Sequence, residues 1–269
     1  MVHLELGHSN TAVLQVAGEL AARFKARVIG IATCHPMQMA YGDGYVSGDI
    51  IEQQSEEIAK EIKDAEAEFR AGLGTRAVPL GWRSNIITGS LPDYIAREAR
   101  CADLVITAIA SGGFLDSSRA MDAGDLVMQA GRPVLIVPAA PARLPLQRIM
   151  VGWKDTREAR RALHDALPLL KQAAHVAVVE IAPEEEMAEA RTHLAEVVAW
   201  LKLHGVAAQP LASAATGDDA AQLSALAREQ GADAVVAGAY GHSRLREWAL
   251  GGVTRKLLLS TERCCLVSH

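Results

Sequence analysis

The feature that most constrains the fold of this chain is an internal repeat of alternating strand-like and helix-like segments. In the second half, four segments with apolar residues at helical spacing separate the strand candidates RIMVGW, HVAVVEI, AAQPLA, ADAVVAG and RCCLVS. The first half repeats this order with VHLEL, RVIGIAT, TRAVPLGW, ADLVITAIA and PVLIVP. Landmarks also match, since ITGSLPD resembles ATGDDAA and CADLVITA resembles GADAVVAG. A repeat of this length indicates two copies of one β/α unit.

The pattern of the strands predicts the fold class. Runs such as AVVAG are apolar on both faces, which is typical of a parallel sheet covered by helices on both sides. We therefore expect an α/β protein of two tandem doubly wound, Rossmann-like domains, each a five-stranded, mostly parallel sheet flanked by about four helices. The proline-containing stretch AAPARLPLQR, residues 139–148, marks the boundary and predicts domains over 1–140 and 147–269.

Composition and charge exclude several classes of function. The net charge is −5 and no basic block occurs, which argues against nucleic acid as a partner. No apolar run approaches the roughly 20 residues that a membrane-spanning helix needs. The opening MVHLELGHSN lacks the pattern of a signal peptide, and the four cysteines show no disulfide-framework or metal spacing. A cytoplasmic protein without a membrane partner is expected.

A glycine-rich stretch near the end of the chain is the main candidate for a binding site. GAYGHSRLREWALGGVT, from Gly238 to Thr254, follows a buried strand candidate and precedes a helix candidate. Glycine lets the backbone approach an anion closely, and the free amides of a helix N-terminus favour negative charge. The alternative is a strand-to-helix crossover that uses glycine only for its positive φ. The residues alone leave both interpretations open.

The spacing within this stretch resembles that of a known family. GxxGx9G followed by GVT, after ADAVVAG and before the last strand, resembles the nucleotide loop of universal stress proteins. VGWKDTREARRAL is similar to that family's first strand and following helix. The resemblance covers nearly all of the second half and, more loosely, the first, so the chain resembles a tandem universal stress protein. It implies ATP or a related adenine nucleotide, with Mg²⁺, as the ligand; otherwise no cofactor is expected. The contacts it implies come from Gly238, Gly241, Gly251, Gly252, Val253, Thr254 and, at the adenine, Ile181.

Two departures from the family pattern change the expected site. ATP-binding members usually carry Asp at the end of the first strand, where this chain has Lys154 followed by Asp155. A lysine can contact phosphate as a point charge. The carboxylate that the family has at this position is lost unless Asp155 moves into the site. Gly252 stands where the family has Ser and offers an amide without a hydroxyl. A nucleotide or phosphate ligand is therefore expected in the second half, with Lys154 and Asp155 among its contacts.

The first half does not repeat the glycine motif. Alignment of the fourth strands puts Ser111 opposite Gly241, and alignment of the last strands puts Ala120 opposite Gly251. The segment SGGFLDSS, residues 111–118, resembles the phosphate loop of ATP pyrophosphatases. Two features argue against that loop. One extra residue separates the glycine from the aspartate, and the segment follows the fourth strand instead of the first. The first half is therefore expected to be structural or regulatory.

No catalytic residues are predicted, because no GxSxG elbow or serine paired with a base occurs. At most weak ATP hydrolysis is expected. No metal site is predicted either, because the spacing of His3, His8 and His35 imposes no ligand geometry. The adjacent Cys264 and Cys265 alternate faces in a terminal strand, which favours buried packing over joint ligation.

The fifth strands predict how the two halves associate. In universal stress proteins these strands pair across a two-fold axis, so the resemblance implies that RPVLIVP and RCCLVS pair within this chain. The two halves would then form an internal pseudo-dimer, and two chains a homodimer. Since a terminal edge strand favours being covered, the strand pattern supports this pairing. An interaction module without a ligand remains the alternative function.

Overall fold

A computed structural model describes residues 1–36, 48–74, 78–109, 121–139, 143–239 and 262–269, with side chains of the second range described from residue 52. Strands and helices alternate in the first half as the repeat predicted. They are β1 (Val2–His3), α1 (Thr11–Phe24), β2 (Val28–Cys34), α2 (Gly48–Leu73), β3 (Leu80–Ile86), α3 (Leu91–Glu98), β4 (Val105–Ala108), α4 (Ala123–Ala130) and β5 (Val134–Val137).

The second half follows the same order. Its elements are β6 (Arg148–Trp153), α5 (Arg157–Leu170), β7 (His175–Ala182), α6 (Met187–Leu203), β8 (Ala208–Ala214), α7 (Asp219–Glu229), β9 (Ala234–Gly238) and β10 (Cys264–Ser268). The predicted helix over residues 252–261 lies outside the described residues.

All ten of these strands form one sheet in the order β3-β2-β1-β4-β5-β10-β9-β6-β7-β8. Every neighbouring pair is parallel except β5 and β10, which are antiparallel. In this pair of strands, Cys265 is in register with Ile136 and Leu266 with Leu135. Each half is thus a five-stranded parallel sheet of order 3-2-1-4-5. The predicted tandem α/β fold and the predicted pairing of the fifth strands within one chain are confirmed.

Local signals in the sequence explain where the helices begin and end. Thr156 caps α5 by accepting a hydrogen bond from the Ala159 amide at 3.2 Å, and Asp218 caps α7 in the same way. After α6 the chain turns at Gly205, whose φ of +80° suits glycine. The predicted apolar stripe of α5 is buried throughout: Ala159, Ala162, Leu163, Ala166, Leu167 and Leu170.

Two apolar layers cover the sheet, one on each face, and both run across the two halves. The first layer contains side chains from α1, α2, α5 and α6, among them Leu14, Phe69, Leu163 and Leu201. The second layer contains side chains from α3, α4 and α7, among them Ile95, Leu126 and Leu223. Because each layer draws on both halves, one continuous core stabilises the whole sheet.

The segment between the halves is part of the first layer. Leu144 and Leu146 are almost completely buried, at 1 % and 0 % exposure. The Leu144 amide donates to the Glu19 carboxylate at 3.0 Å, and Arg23 donates to the Pro145 carbonyl at 3.1 Å. Residues 144–146 of the boundary are therefore packed against the first half instead of lying free in solvent.

The third strand differs from its predicted position. TRAVPLGW, residues 75–82, was the expected strand, whereas β3 begins at Leu80 and ends at Ile86. Proline 79 has no amide to donate, but its carbonyl accepts from the Val28 amide at 3.0 Å just before the strand begins. Since β3 is an edge strand with half-exposed side chains, the polar residues Arg83, Ser84 and Asn85 fit within it.

Among the described helices, none has the length and apolar character that crossing a membrane requires.

Candidate functional site

Four of the predicted site residues lie at one edge of the sheet. Lys154 and Asp155 follow the last residue of β6, Ile181 lies next to the end of β7, and Gly238 ends β9. The three strands are neighbours in the order β9-β6-β7, and all are parallel. Their carboxyl ends therefore meet where the strand order reverses, which is the usual ligand position in such sheets.

The other predicted contacts lie outside the described residues. They are Gly241, Gly251, Gly252, Val253 and Thr254, and the first-half segment SGGFLDSS also lies outside them.

Gly238 brings the end of β9 against the first turn of α5. A Cβ atom added at Gly238 would lie 2.5 Å from the Ala159 amide nitrogen and 2.6 Å from the Glu158 carbonyl carbon. Both are backbone atoms, which cannot swing aside as a side chain can. Glycine at this position is thus required by the close approach of the strand to the helix, whether or not a ligand is bound.

The turn after β6 presents one exposed cation and one ion pair. The Thr156 amide donates to the Lys154 carbonyl at 2.6 Å, which closes the turn before α5 begins. Asp155 pairs with Arg160 at 2.9 Å, and both side chains are exposed. The carboxylate of Asp155 is therefore engaged by Arg160, while Lys154 carries an exposed positive charge at the strand end.

Ile181 supplies a half-buried apolar surface at the same edge. Its side chain packs against the second layer, and its backbone pairs with Ser213 of β8. The preceding residue, Glu180, lies on the opposite face of the sheet, since successive residues of a strand alternate. Ile181 is therefore on the face of the sheet that α7 covers.

The strand register identifies Glu5 as the first-half counterpart of Lys154. Val2 pairs with Gly30 and Ile106, four and two residues before the ends of β2 and β4. Val151 pairs with residues four and two before the ends of β7 and β9. Val2 and Val151 are thus equivalent, and so are Glu5 and Lys154, three residues further on. The same place carries opposite charges in the two halves.

Glu5 lines a small cavity in the first half. Its other lining residues are His3, Thr107, Ala108 and Met121. His3 lies 3.1 Å from the Thr107 hydroxyl, and burial lowers the pKa of His3 to about 4, so its ring is neutral at pH 7. No local motif identifies Glu5, because it is one polar residue within the strand candidate VHLEL. Comparison of VHLE with VGWK is the signal that finds it.

The three histidines considered as metal ligands have other partners. His3 contacts Thr107, while His8 and His35 lie 3.2 and 3.1 Å from the carbonyls of Leu6 and Ile87. No group of three or more His, Cys, Asp or Glu in the described part of the chain is arranged to hold a metal ion.

The adjacent cysteines of β10 are core residues, as predicted. Cys264 belongs to the first layer and Cys265 to the second, and each is at most 1 % exposed. Burial raises the pKa of both thiols to about 12. They are therefore protonated and packed, and on opposite faces they cannot share a ligand.

Comparison with known proteins is consistent with this geometry. Residues 145–269 match the model of the universal stress protein family. A universal stress protein from Archaeoglobus fulgidus DSM 4304 has the same fold over both halves, with a TM-score of 0.74 and 12 % identity, covering 99 % of this chain and 97 % of its own. A putative universal stress protein from Pseudomonas aeruginosa UCBPP-PA14 covers 89 % of this chain and 92 % of its own, with a TM-score of 0.52 and 17 % identity.

A third structure, the universal stress protein from Archaeoglobus fulgidus in complex with dAMP, covers 46 % of this chain and 98 % of its own at 21 % identity and a TM-score of 0.38. No curated protein matches the sequence significantly.

Proposed function

Because residues 145–269 of this chain belong to the universal stress protein family, we propose that the protein binds an adenine nucleotide or another phosphate ligand in its second half. The observation that carries the proposal is the meeting of Lys154, Ile181 and Gly238 at the carboxyl ends of three adjacent parallel strands. In sheets of this kind that place is where ligands bind.

The residues of the site divide into three roles. Ile181 offers an apolar surface to the adenine ring, and Lys154 offers a point charge to phosphate. The backbone amides of Gly241, Gly251 and Gly252 would surround the phosphates, with Val253 and Thr254 completing the loop; Thr254 adds a hydroxyl. Because Asp155 already pairs with Arg160, it would contact the ligand only after leaving that partner. Mg²⁺ would accompany the phosphates, and no catalytic residue is assigned.

Titration calorimetry on the full chain tests the proposal directly. ATP with and without Mg²⁺ and dAMP are the probes, because the site is proposed for an adenine nucleotide. We expect binding by the natural sequence and its loss in Gly241→Val combined with Gly251→Val, since two added side chains block the backbone approach. The matched control is Ser111→Val combined with Ala120→Val, at the aligned first-half positions. Absence of binding by the natural sequence, even with Mg²⁺, would show the ligand proposal to be wrong.

Lys154 is tested separately, because its proposed role is electrostatic. Lys154→Gln should weaken ATP binding about tenfold while changing adenosine binding little, since only ATP carries phosphate. The control is Arg161→Gln, which removes an exposed charge from α5. Equal losses for ATP and adenosine would contradict a phosphate contact by Lys154.

The antiparallel pairing of β5 and β10 favours a second function, an interaction module without a ligand. The two halves, proposed as domains over 1–140 and 147–269, meet through these strands. We propose that two such chains associate as a homodimer and that the protein is cytoplasmic. Light scattering at micromolar concentration tests the dimer, and a solution mass of one chain only would contradict it.

A further inference from the structure

Several buried polar atoms without hydrogen-bond partners lie on the face of the second half that the first layer covers, at the carboxyl ends of the strands. Within the described residues of the second half these are Trp153 Nε1, Glu180 Oε2, Ser268 Oγ and, on the helix α6 above them, His193 Nδ1. Trp153 and Glu180 are paired in register across β6 and β7 and are 9 % and 7 % exposed. A buried carboxylate oxygen without a donor is costly, so its surroundings require an explanation.

Helix α6 places His193 beside this carboxylate. Nδ1 of His193 lies 3.5 Å from Oε1 of Glu180, and Nε2 lies 3.7 Å from Oε1 of Glu189. Each ring nitrogen therefore faces a carboxylate. A neutral imidazole has a single N–H, whereas an imidazolium has two, so only the protonated ring can donate to both. The side chain of His193 is 29 % exposed, which gives solvent protons access to it.

We propose that Glu180 and His193 form a proton-controlled latch that fastens helix α6 to strand β7. When His193 is protonated, the ring pairs with both carboxylates and holds α6 against the sheet. When His193 is neutral, Glu180 keeps a buried charge with weaker compensation, and the attachment of α6 loosens. Both contacts are longer than an ordinary hydrogen bond and have room to shorten on protonation.

The other charges that act on Glu180 lie at the end of β6. Burial raises the pKa of Glu180, the nearby His193 opposes this, Asp155 raises the pKa and Lys154 lowers it. On the other side of the strand, β8 contributes the uncharged Ala212. Histidine is the side chain that ordinarily changes charge between pH 5 and 8, so opening of α6 is compared at pH 6 and pH 8.

The expected pH profile follows from the charges. Loss of the His193 proton as the pH rises removes the positive charge that faces Glu180, so the attraction weakens. At strongly acidic pH Glu180 is protonated as well, and the ion pair is lost again. Attachment of α6 should therefore be strongest in mildly acidic solution.

Hydrogen–deuterium exchange of the full chain measures this attachment. After correction for the intrinsic pH dependence of exchange, opening of residues 187–203 should be about fivefold more frequent at pH 8 than at pH 6. Helix α5 serves as the internal reference and should change less. His193→Gln should abolish the difference because it removes the ring that changes charge. Glu180→Gln should remove most of it, because the buried carboxylate that pairs with the ring is lost.

Glu189→Gln is the matched control, because Glu189 is a largely exposed partner of the same histidine. It should keep most of the pH dependence, since the Glu180 contact remains. Equal opening of α6 at both pH values in the natural sequence would overturn the latch. So would a natural pH dependence that persists in both the Glu180 and the His193 variants. None of these measurements depends on nucleotide binding, so the latch and the proposed ligand are tested independently.

Discussion

At the scale of single residues, Gly238 has a packing role that is independent of any ligand. The position of a Cβ atom there, 2.5 Å from the Ala159 amide nitrogen, is too close for any side chain unless α5 moves. The same glycine belongs to the proposed nucleotide loop. Loss of ligand binding in a Gly238 variant would therefore not identify a ligand contact, which is why the loop test uses Gly241 and Gly251 instead.

Gly238→Ala should lower the free energy of unfolding by about 1–3 kcal/mol, because the added methyl group meets fixed backbone. Urea denaturation monitored by circular dichroism measures the change. Gly152→Ala is the control, since its Cβ would lie 3.3 Å from a terminal methyl group of Leu223, which can shift. Equal stability of Gly238→Ala and the natural sequence would contradict the close approach.

His3 makes stability depend on pH through its burial. The pKa of His3 is lowered from 6.5 to about 4 in the folded chain, so the unfolded chain takes up the proton first as the pH falls. The contribution of neutral His3 is complete above pH 6.5 and is lost between pH 6.5 and 4, by up to about 3 kcal/mol. His3→Asn should flatten the stability profile in this window.

The control for His3 is His175→Asn, because His175 is exposed at the start of β7. Stability measured from pH 7.5 to 4 should follow the natural profile in this variant. If His3→Asn and His175→Asn change the profile equally, burial of His3 is not the cause.

How much of the site the sequence predicts depends on the residue. The clear apolar patterns of β6, β7 and β9 place Lys154, Ile181 and Gly238 at strand ends, and the resemblance to universal stress proteins is what marks these positions as site residues. Glu5 and His193 were not found, for different reasons. Glu5 is recognised only by the register of two distant strands, and His193 only by the packing of α6 over Glu180. Such relations between elements are absent from local spacing.

At the scale of elements, the fold was predicted well where both faces of a strand are buried. The bounds of β6 agree with RIMVGW, and β10 agrees with RCCLVS to within one residue. β3 departs most from its predicted position, because an edge strand has one open side and does not need a continuous apolar pattern. The central strand β1 also differs, since it covers only Val2–His3 of the predicted VHLEL. Because the side chains of a central strand are buried, its choice of residues is more restricted than that of an edge strand.

Thiol reactivity reports on the central position of β10. Cys34, Cys264 and Cys265 are buried, and Cys101 is exposed. Because a thiolate is the reactive form, thiols with a pKa of about 12 react slowly as well as being inaccessible. The native protein should therefore react with a thiol reagent at Cys101 first, and at the other three cysteines only in denaturant.

Cys101→Ser is the variant that checks this assignment. It should remove the fast reaction and leave the slow one unchanged. Rapid labelling of Cys264 or Cys265 in the native protein, identified by mass spectrometry, would mean that β10 is accessible and not held between β5 and β9.

At the scale of the whole molecule, the two repeats form one structural unit. The sheet continues through β5 and β10, both apolar layers contain residues from each half, and the connecting segment buries Leu144 and Leu146. An internal repeat by itself suggests two units that could unfold separately. The shared core predicts the opposite, because exposing either half would also expose apolar surface of the other.

Thermal unfolding of the full chain should therefore be a single cooperative transition, with equal calorimetric and van't Hoff enthalpies. Leu266→Asp, which places a charge between the halves at the pair with Leu135, should lower the transition temperature and split the transition in two. Lys202→Asp, on the exposed surface of α6, is the control for adding an acidic residue and should leave one transition. Two separate transitions in the natural sequence would mean that the repeats are independent domains and that the continuous sheet does not couple their stability.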